Sequence, residues 1–117
     1  MVVPKKGRRI GRSAENQRAI LKNLAISLIE HGRITTTVTK GKYIRGYIDR
    51  LITYAKKGDL ASRRMCLKTL NNADVVKKLF DEVGPAVYGR TSGFTRIIKF
   101  GNRLGDGSEM VIVELIK

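Results

Sequence analysis

Residues 34–56 read ITTTVTKGKYIRGYIDRLITYAK, and a change of pattern inside this stretch decides the fold. Ile34-Thr35-Thr36-Thr37-Val38 is β-branched throughout, which restricts χ1 and favours a pleated strand over a helix. From Lys40 to Lys57 the period becomes helical. Ile44, Tyr47, Ile48, Leu51 and Ala55 fall on one stripe, while Lys40, Lys42, Arg45, Arg50 and Lys56 lie largely off it. The stretch therefore predicts a short strand and then a basic amphipathic helix stopped by Gly58. Gly41 and Gly46 each weaken that helix by about 1 kcal/mol relative to Ala, so its first turns should depend on tertiary packing.

Upstream, Ser13 is a candidate N-cap, Glu15 stands in the first turn where the helix dipole favours an anion, and Gly32 is a candidate stop. The helix between them, about 14–31, carries Leu21, Leu24 and Leu28 beside Ala25 and Ile29, with Arg18 and Lys22 four apart on another face. Downstream, Asp59 and Asn72 cap two shorter predicted helices, about 60–70 and 73–83, the second ended by Gly84-Pro85. Residues 94–100 and 110–116 read as strands joined by a glycine-bearing loop of about 101–109. Val111, Val113 and Leu115 supply the apolar face of the last strand. The order is helix, strand, three helices, two strands, with no internal repeat.

The chain has 117 residues, enough for one domain that buries roughly two thirds of its unfolded surface. Its 24 Lys and Arg against 10 Asp and Glu give a formal charge of +14, which points to a polyanionic partner. Residues 1–58 hold 14 of the cations and only 3 of the acids. The extreme is residues 1–12, where Lys5, Lys6, Arg8, Arg9 and Arg12 stand among Pro4, Gly7 and Gly11 without an acid. Such a segment cannot build a core and is expected to be an extended arm, leaving 13–117 as a single globular domain.

Other chemistries find little here. Met1-Val2-Val3-Pro4 runs into the basic arm without an apolar stretch, so neither a secretory signal nor a membrane span is read, and a cytoplasmic protein is expected. Cys66 is the single cysteine and His31 the single histidine, which leaves no thiolate or imidazole metal site, and no cofactor is expected. Cys66 reads as buried packing, although Arg63 and Arg64 nearby would lower its pKa if they faced it. His31 reads as a helix-end residue and Asp106 as a turn residue between two glycines. The loop 101–107 lacks the Gly-Lys-Ser/Thr of a nucleotide-binding loop and precedes a strand instead of a helix. No catalytic constellation emerges, so the protein is read as a binder and not an enzyme, with no small-molecule substrate. There is no Trp and no run of aromatic residues to stack bases, which favours recognition of RNA shape and backbone. A DNA-binding architectural protein is the alternative, without dimer heptads or a clear helix-turn-helix.

The stretch Ile-x-Thr-Thr-x-x-Lys-x-Lys, followed after six residues by Asp49-x-Leu51-Ile52-Thr53-x-Ala55-Lys56, resembles the characteristic motif of the bacterial-type large-subunit ribosomal protein number seventeen family. Lys6-Gly7-Arg8, Asn23-Leu24-Ala25-x-Ser27-Leu28, Arg63-Arg64, Lys78-Leu79-Phe80, Gly93-Phe94-Thr95-Arg96-Ile97 and Arg103-x-Gly105-Asp106 continue the likeness over nearly the whole chain. The resemblance implies an α/β (α+β) fold of two layers, a small three-stranded sheet packed under helices. It also implies a structural place in the large ribosomal subunit, near the outer end of the nascent-chain tunnel, with the arm embedded in ribosomal RNA beside neighbouring ribosomal proteins, in a bacterial or an organellar ribosome.

By position it carries RNA contact to Lys6, Arg8, Arg12, Arg18, Lys22, Lys40 and Lys42, and to Arg63, Arg64, Arg90, Arg96 and Arg103. Lys5, Arg9, Arg45 and Lys99 complete the expected rRNA-binding set. Many members of that family have His where this chain has Gln17, Ala at Gly41, Arg at Ala86 and Tyr at Phe94.

Overall fold

A computed structural model describes residues 14–91 and 93–116. The expected arm and the Ser13 cap lie outside the described residues. The first helix, α1 (Ala14–His31), ends at Gly32, whose N–H donates to Leu28 O at 2.8 Å. Strand β1 (Arg33–Thr37) starts at once, and α2 (Val38–Lys57) follows without a loop. The helix thus begins two residues earlier than its period suggested. Thr37, extended at φ −70° and ψ 156°, serves as its N-cap, and Val38 packs against the core.

Helix α3 (Leu60–Leu70) is capped by Asp59, which accepts from the Ser62 N–H at 2.7 Å. It ends on Asn71 in a left-handed conformation, one of the few non-glycine residues for which this is common. Asn72 then accepts from the Val75 N–H and opens α4 (Ala73–Lys78).

The expected stop at Gly84-Pro85 does not occur there. α4 passes into a π-helical turn (Leu79–Val83) and then one further helical turn, α5 (Gly84–Ala86), with Pro85 in its first positions. Gly84 keeps right-handed helical geometry and donates to Leu79 O, five residues back. A proline ring clashes with the carbonyl four residues before it in a regular α-helix, and a π-helical turn ahead of Pro85 changes that spacing. The glycine serves packing: a Cβ on Gly84 would lie 3.1 Å from the Ala55 Cβ.

Strands β2 (Thr95–Asn102) and β3 (Glu109–Leu115) form a hairpin, and β3 also pairs with β1, giving an antiparallel three-stranded sheet in the order β1-β3-β2. The hairpin loop is shorter than expected because the ladder runs on to Asn102 and Glu109 past an irregularity between Lys99 and Gly101. Side chains alternate across a strand, so Val111 and Val113 share one face of β3 and are fully buried, and Thr36, opposite Val111, is buried with them. That face lies against α2. Leu21, Ala25, Leu28 and Ile29 of α1 complete the core with Ile44, Tyr47, Ile48, Leu51, Ile52 and Ala55 of α2 and with Cys66, Leu70, Val75, Val76 and Leu79. The result is the two-layer α+β arrangement, with helices on one side of a small sheet.

Candidate nucleic-acid interface

Because one face of each helix is spent on the core, the cations of α1, α2 and α3 are placed by helical period on what remains. Arg18 is exposed on α1 and Lys22 half-buried one turn on; along α2, Lys42, Arg45 and Arg50 are exposed and Lys40 is half-buried; Arg64 and Lys68 are exposed on α3. None of Arg18, Lys42, Arg50, Arg64 and Lys68 makes an ion pair among the described residues. Lys5, Lys6, Arg8, Arg9 and Arg12 fall outside the described residues.

Other cations are engaged within the fold. Arg96 of β2 forms an ion pair with Glu114, directly opposite it on β3. Lys99 lies 3.5 Å from Glu109 across the same hairpin. Arg103 grips Asp106 with both sides of its guanidinium, Nε donating to Oδ1 at 3.1 Å, and the Ser108 N–H donates to the same oxygen at 3.0 Å. Those bonds hold the Asp106 carboxyl well below the usual carboxylate range, with Arg103 the larger cause. Asp106 is thus a turn residue that occupies an arginine. Arg63 lies 5.3 Å from the centre of the Phe80 ring. Lys56 stands 5.0 Å over Phe94 and donates to Arg90 O, and Lys78 donates to Glu30 O at 2.8 Å. Lys56 thus ties α2 to the segment before β2, and Lys78 ties α4 to the last turn of α1.

Two surface concavities collect cations from distant parts of the chain. One, of about 560 Å³, is lined by Arg33, Arg90 and Arg96 with His31 and Glu114, at the end of α1 and across one end of the sheet. The other, of about 340 Å³, lies where α1, α2 and α3 meet and is lined by Arg18, Arg50 and Lys68 with Tyr47, Tyr54, Met65 and Thr69. The sequence reading included Arg18, Arg90 and Arg96 but passed over Arg33 and Lys68, and named Arg50 only as a residue off the apolar stripe. No local pattern links residues 18, 50 and 68. It also saw no grouping of aromatics, whereas Tyr47 and Tyr54, seven apart on α2, line one cleft.

Among the described residues, no group of three or more His, Cys, Asp or Glu is placed to hold a metal ion, and no helix is long and apolar enough to cross a membrane. Cys66 is buried, and burial pushes its thiol up to about 11, so the nearby arginines do not activate it. His31 is exposed in the last turn of α1. Asp49 is the unusual acid. Burial raises its carboxyl above the ordinary range, opposed by the Phe94 backbone, the Arg45 charge and the Thr95 hydroxyl, none of which reaches Oδ1 with good hydrogen-bond geometry.

The family model described as Ribosomal protein L17 matches residues 20–116. The chain is similar to the large ribosomal subunit protein bL17 of Pseudarthrobacter chlorophenolicus, 50% identical over 116 residues that cover 99% of this chain and 61% of the relative. It is equally similar, 50% identical over 116 residues, to the protein of the same name from Arthrobacter sp. (strain FB24), of which it covers 59%. The chain spans about three fifths of the length of these relatives. Of the four positions at which the resemblance implies another residue, Gln17 and Phe94 are each 1% exposed and Gly41 is buried, whereas Ala86 is at the surface.

Proposed function

Since the chain belongs to the ribosomal protein L17 family, we propose that it is a structural constituent of the large ribosomal subunit that binds and stabilises folded large-subunit ribosomal RNA. Its basic arm and the outward faces of α1, α2 and α3 hold the phosphate backbone. The observation that carries this reading is the set of exposed cations on those helices that no acid of the described fold neutralises. Like charges held on one rigid scaffold repel, and a polyanion relieves that repulsion while releasing its own counterions. Arg18, Lys22, Lys40, Lys42, Arg45, Arg63, Arg64 and Arg90 are the proposed contacts of the described fold. Arg96, Lys99 and Arg103 reach RNA while sharing their charge with Glu114, Glu109 and Asp106.

The finer placement, near the outer end of the nascent-chain tunnel beside other large-subunit proteins of a bacterial-type ribosome, rests on the family resemblance. Neither the family match nor the geometry supports the DNA-binding alternative. The test is sedimentation of the tagged full chain expressed in cells. Travel with large subunits through a gradient at moderate salt is expected; a protein that stays at the top of the gradient and prefers duplex DNA to ribosomal RNA overturns the reading.

A further inference from the structure

The cleft between α1, α2 and α3 has a composition that phosphate binding alone does not require. Its rim carries Arg18 from α1, Arg50 from α2 and Lys68 from α3, with no acid among the lining residues. Its lining also holds Tyr47, Tyr54 and Met65, an apolar, π-bearing surface in which Met65 stays 43% exposed and Tyr54 half-buried. The period of each helix makes this possible. Tyr47, Arg50 and Tyr54 recur at three and four residues along α2, and Met65 and Lys68 at three along α3. Other concavities differ: the groove at α4 includes Asp74, Asp81 and Glu82, and the basin by Arg90 includes Glu114.

A cationic rim around an aromatic and thioether floor complements a flat heterocycle that carries phosphate. At about 340 Å³ the cleft falls in the size range of small-ligand sites. A duplex keeps its bases stacked inside and offers only backbone to such a surface, whereas an unpaired nucleotide can place its base on the floor and its phosphate at the rim. We propose that this cleft receives a single unpaired nucleotide of the RNA partner, with the base against Tyr54 and Met65 and the flanking phosphates held by Arg18, Arg50 and Lys68. The assignment rests on the proposed RNA-binding function and adds to it a site that reads RNA single-strandedness.

The test uses the full chain labelled with 3-fluorotyrosine, whose four tyrosines divide into Tyr47 and Tyr54 inside the cleft and Tyr43 and Tyr88 outside it. Titration with adenosine 5′-monophosphate should shift the fluorine resonances of Tyr47 and Tyr54 together and saturably, with inorganic phosphate binding more weakly and moving them less. Equal shifts at Tyr43 and Tyr88, equal effects of phosphate alone, or equally effective displacement by an acidic peptide would overturn the proposal. On deproteinised large-subunit RNA, Tyr54→Leu should weaken binding about tenfold while Tyr54→Phe and Tyr88→Leu leave it unchanged. Loss of binding by Tyr54→Phe equal to that by Tyr54→Leu, or parental binding by all three, would also overturn it. In the latter case salt-dependent RNA binding by the parent would leave the broader function standing, and a parent that fails to bind the RNA sinks both.

Discussion

A Cβ placed on Gly41 would stand 2.7 Å from Cγ2 of Val111, so α2 lies closer to the central strand here than any larger residue allows without a shift. Carbon atoms attract at about 3.5–4.0 Å, and Val111 is a stiff, fully buried β-branched side chain. Gly41→Ala should therefore cost about 1 kcal/mol of stability even though Ala is the better helix former. In the Val111→Ala background the same change should cost nothing or stabilise. A urea double-mutant cycle measures that coupling, and additive effects would mean the contact is not tight.

Gly46, five residues along the same helix, gives the opposite result. It is exposed, keeps a negative φ and has nothing within 4 Å of a built Cβ. Gly46→Ala should raise stability by about 0.5–1 kcal/mol, seen as a rise of a few degrees in Tm with RNA affinity unchanged.

The contrast between these two glycines marks how far the sequence alone could be read. That α2 is a helix with its apolar stripe inward follows from period, and the stripe Ile44, Tyr47, Ile48, Leu51 and Ala55 is buried throughout, joined by Gly41 and Ile52. Which glycine touches the sheet depends on register between α2 and β3, 70 residues away, which no local rule encodes. Gly84-Pro85 misleads for the same reason: as a local signal it stops a helix, but here a π-helical turn admits the proline and Ala55 occupies the space a Cβ would need. In the candidate interface, the abundance of cations was legible and their availability was not. Arg96 meets Glu114 only because antiparallel register puts them opposite each other, and Arg18, Arg50 and Lys68 meet only because three helices converge.

Asp49 sets a pH dependence. Burial raises its folded-state pKa above the unfolded value, so the folded chain keeps that proton to higher pH. This contribution favours folding below the unfolded pKa and is lost as pH rises through the folded value. The Asp49→Asn variant should gain stability relative to the parent as pH is raised from about 3 to about 6, then hold a constant difference. Urea unfolding across that range reports it; a parent that gains on the variant over the same interval would mean the opposing contacts from Phe94, Arg45 and Thr95 outweigh burial.

Cations with and without an acid nearby should differ in their share of phosphate binding. Lys42 and Arg64 are exposed and unpaired among the described residues, whereas Lys99 is shared with Glu109 and Arg103 with Asp106. Lys42→Gln or Arg64→Gln should each reduce the slope of log K against log salt by about 1 and weaken RNA binding. Lys99→Gln should change it by less, because Glu109 already offsets that charge. Filter binding over a salt series distinguishes the two groups.

That the basic arm and helix faces hold large-subunit ribosomal RNA is tested most directly by the salt dependence of Kd for the full chain on that RNA, stripped of protein and challenged with duplex DNA. Several phosphate contacts predict a log–log slope of about −5 or steeper, and competition by DNA only in large excess. A slope of about −2 or shallower, or DNA competing as well as unlabelled ribosomal RNA, would contradict the proposed function.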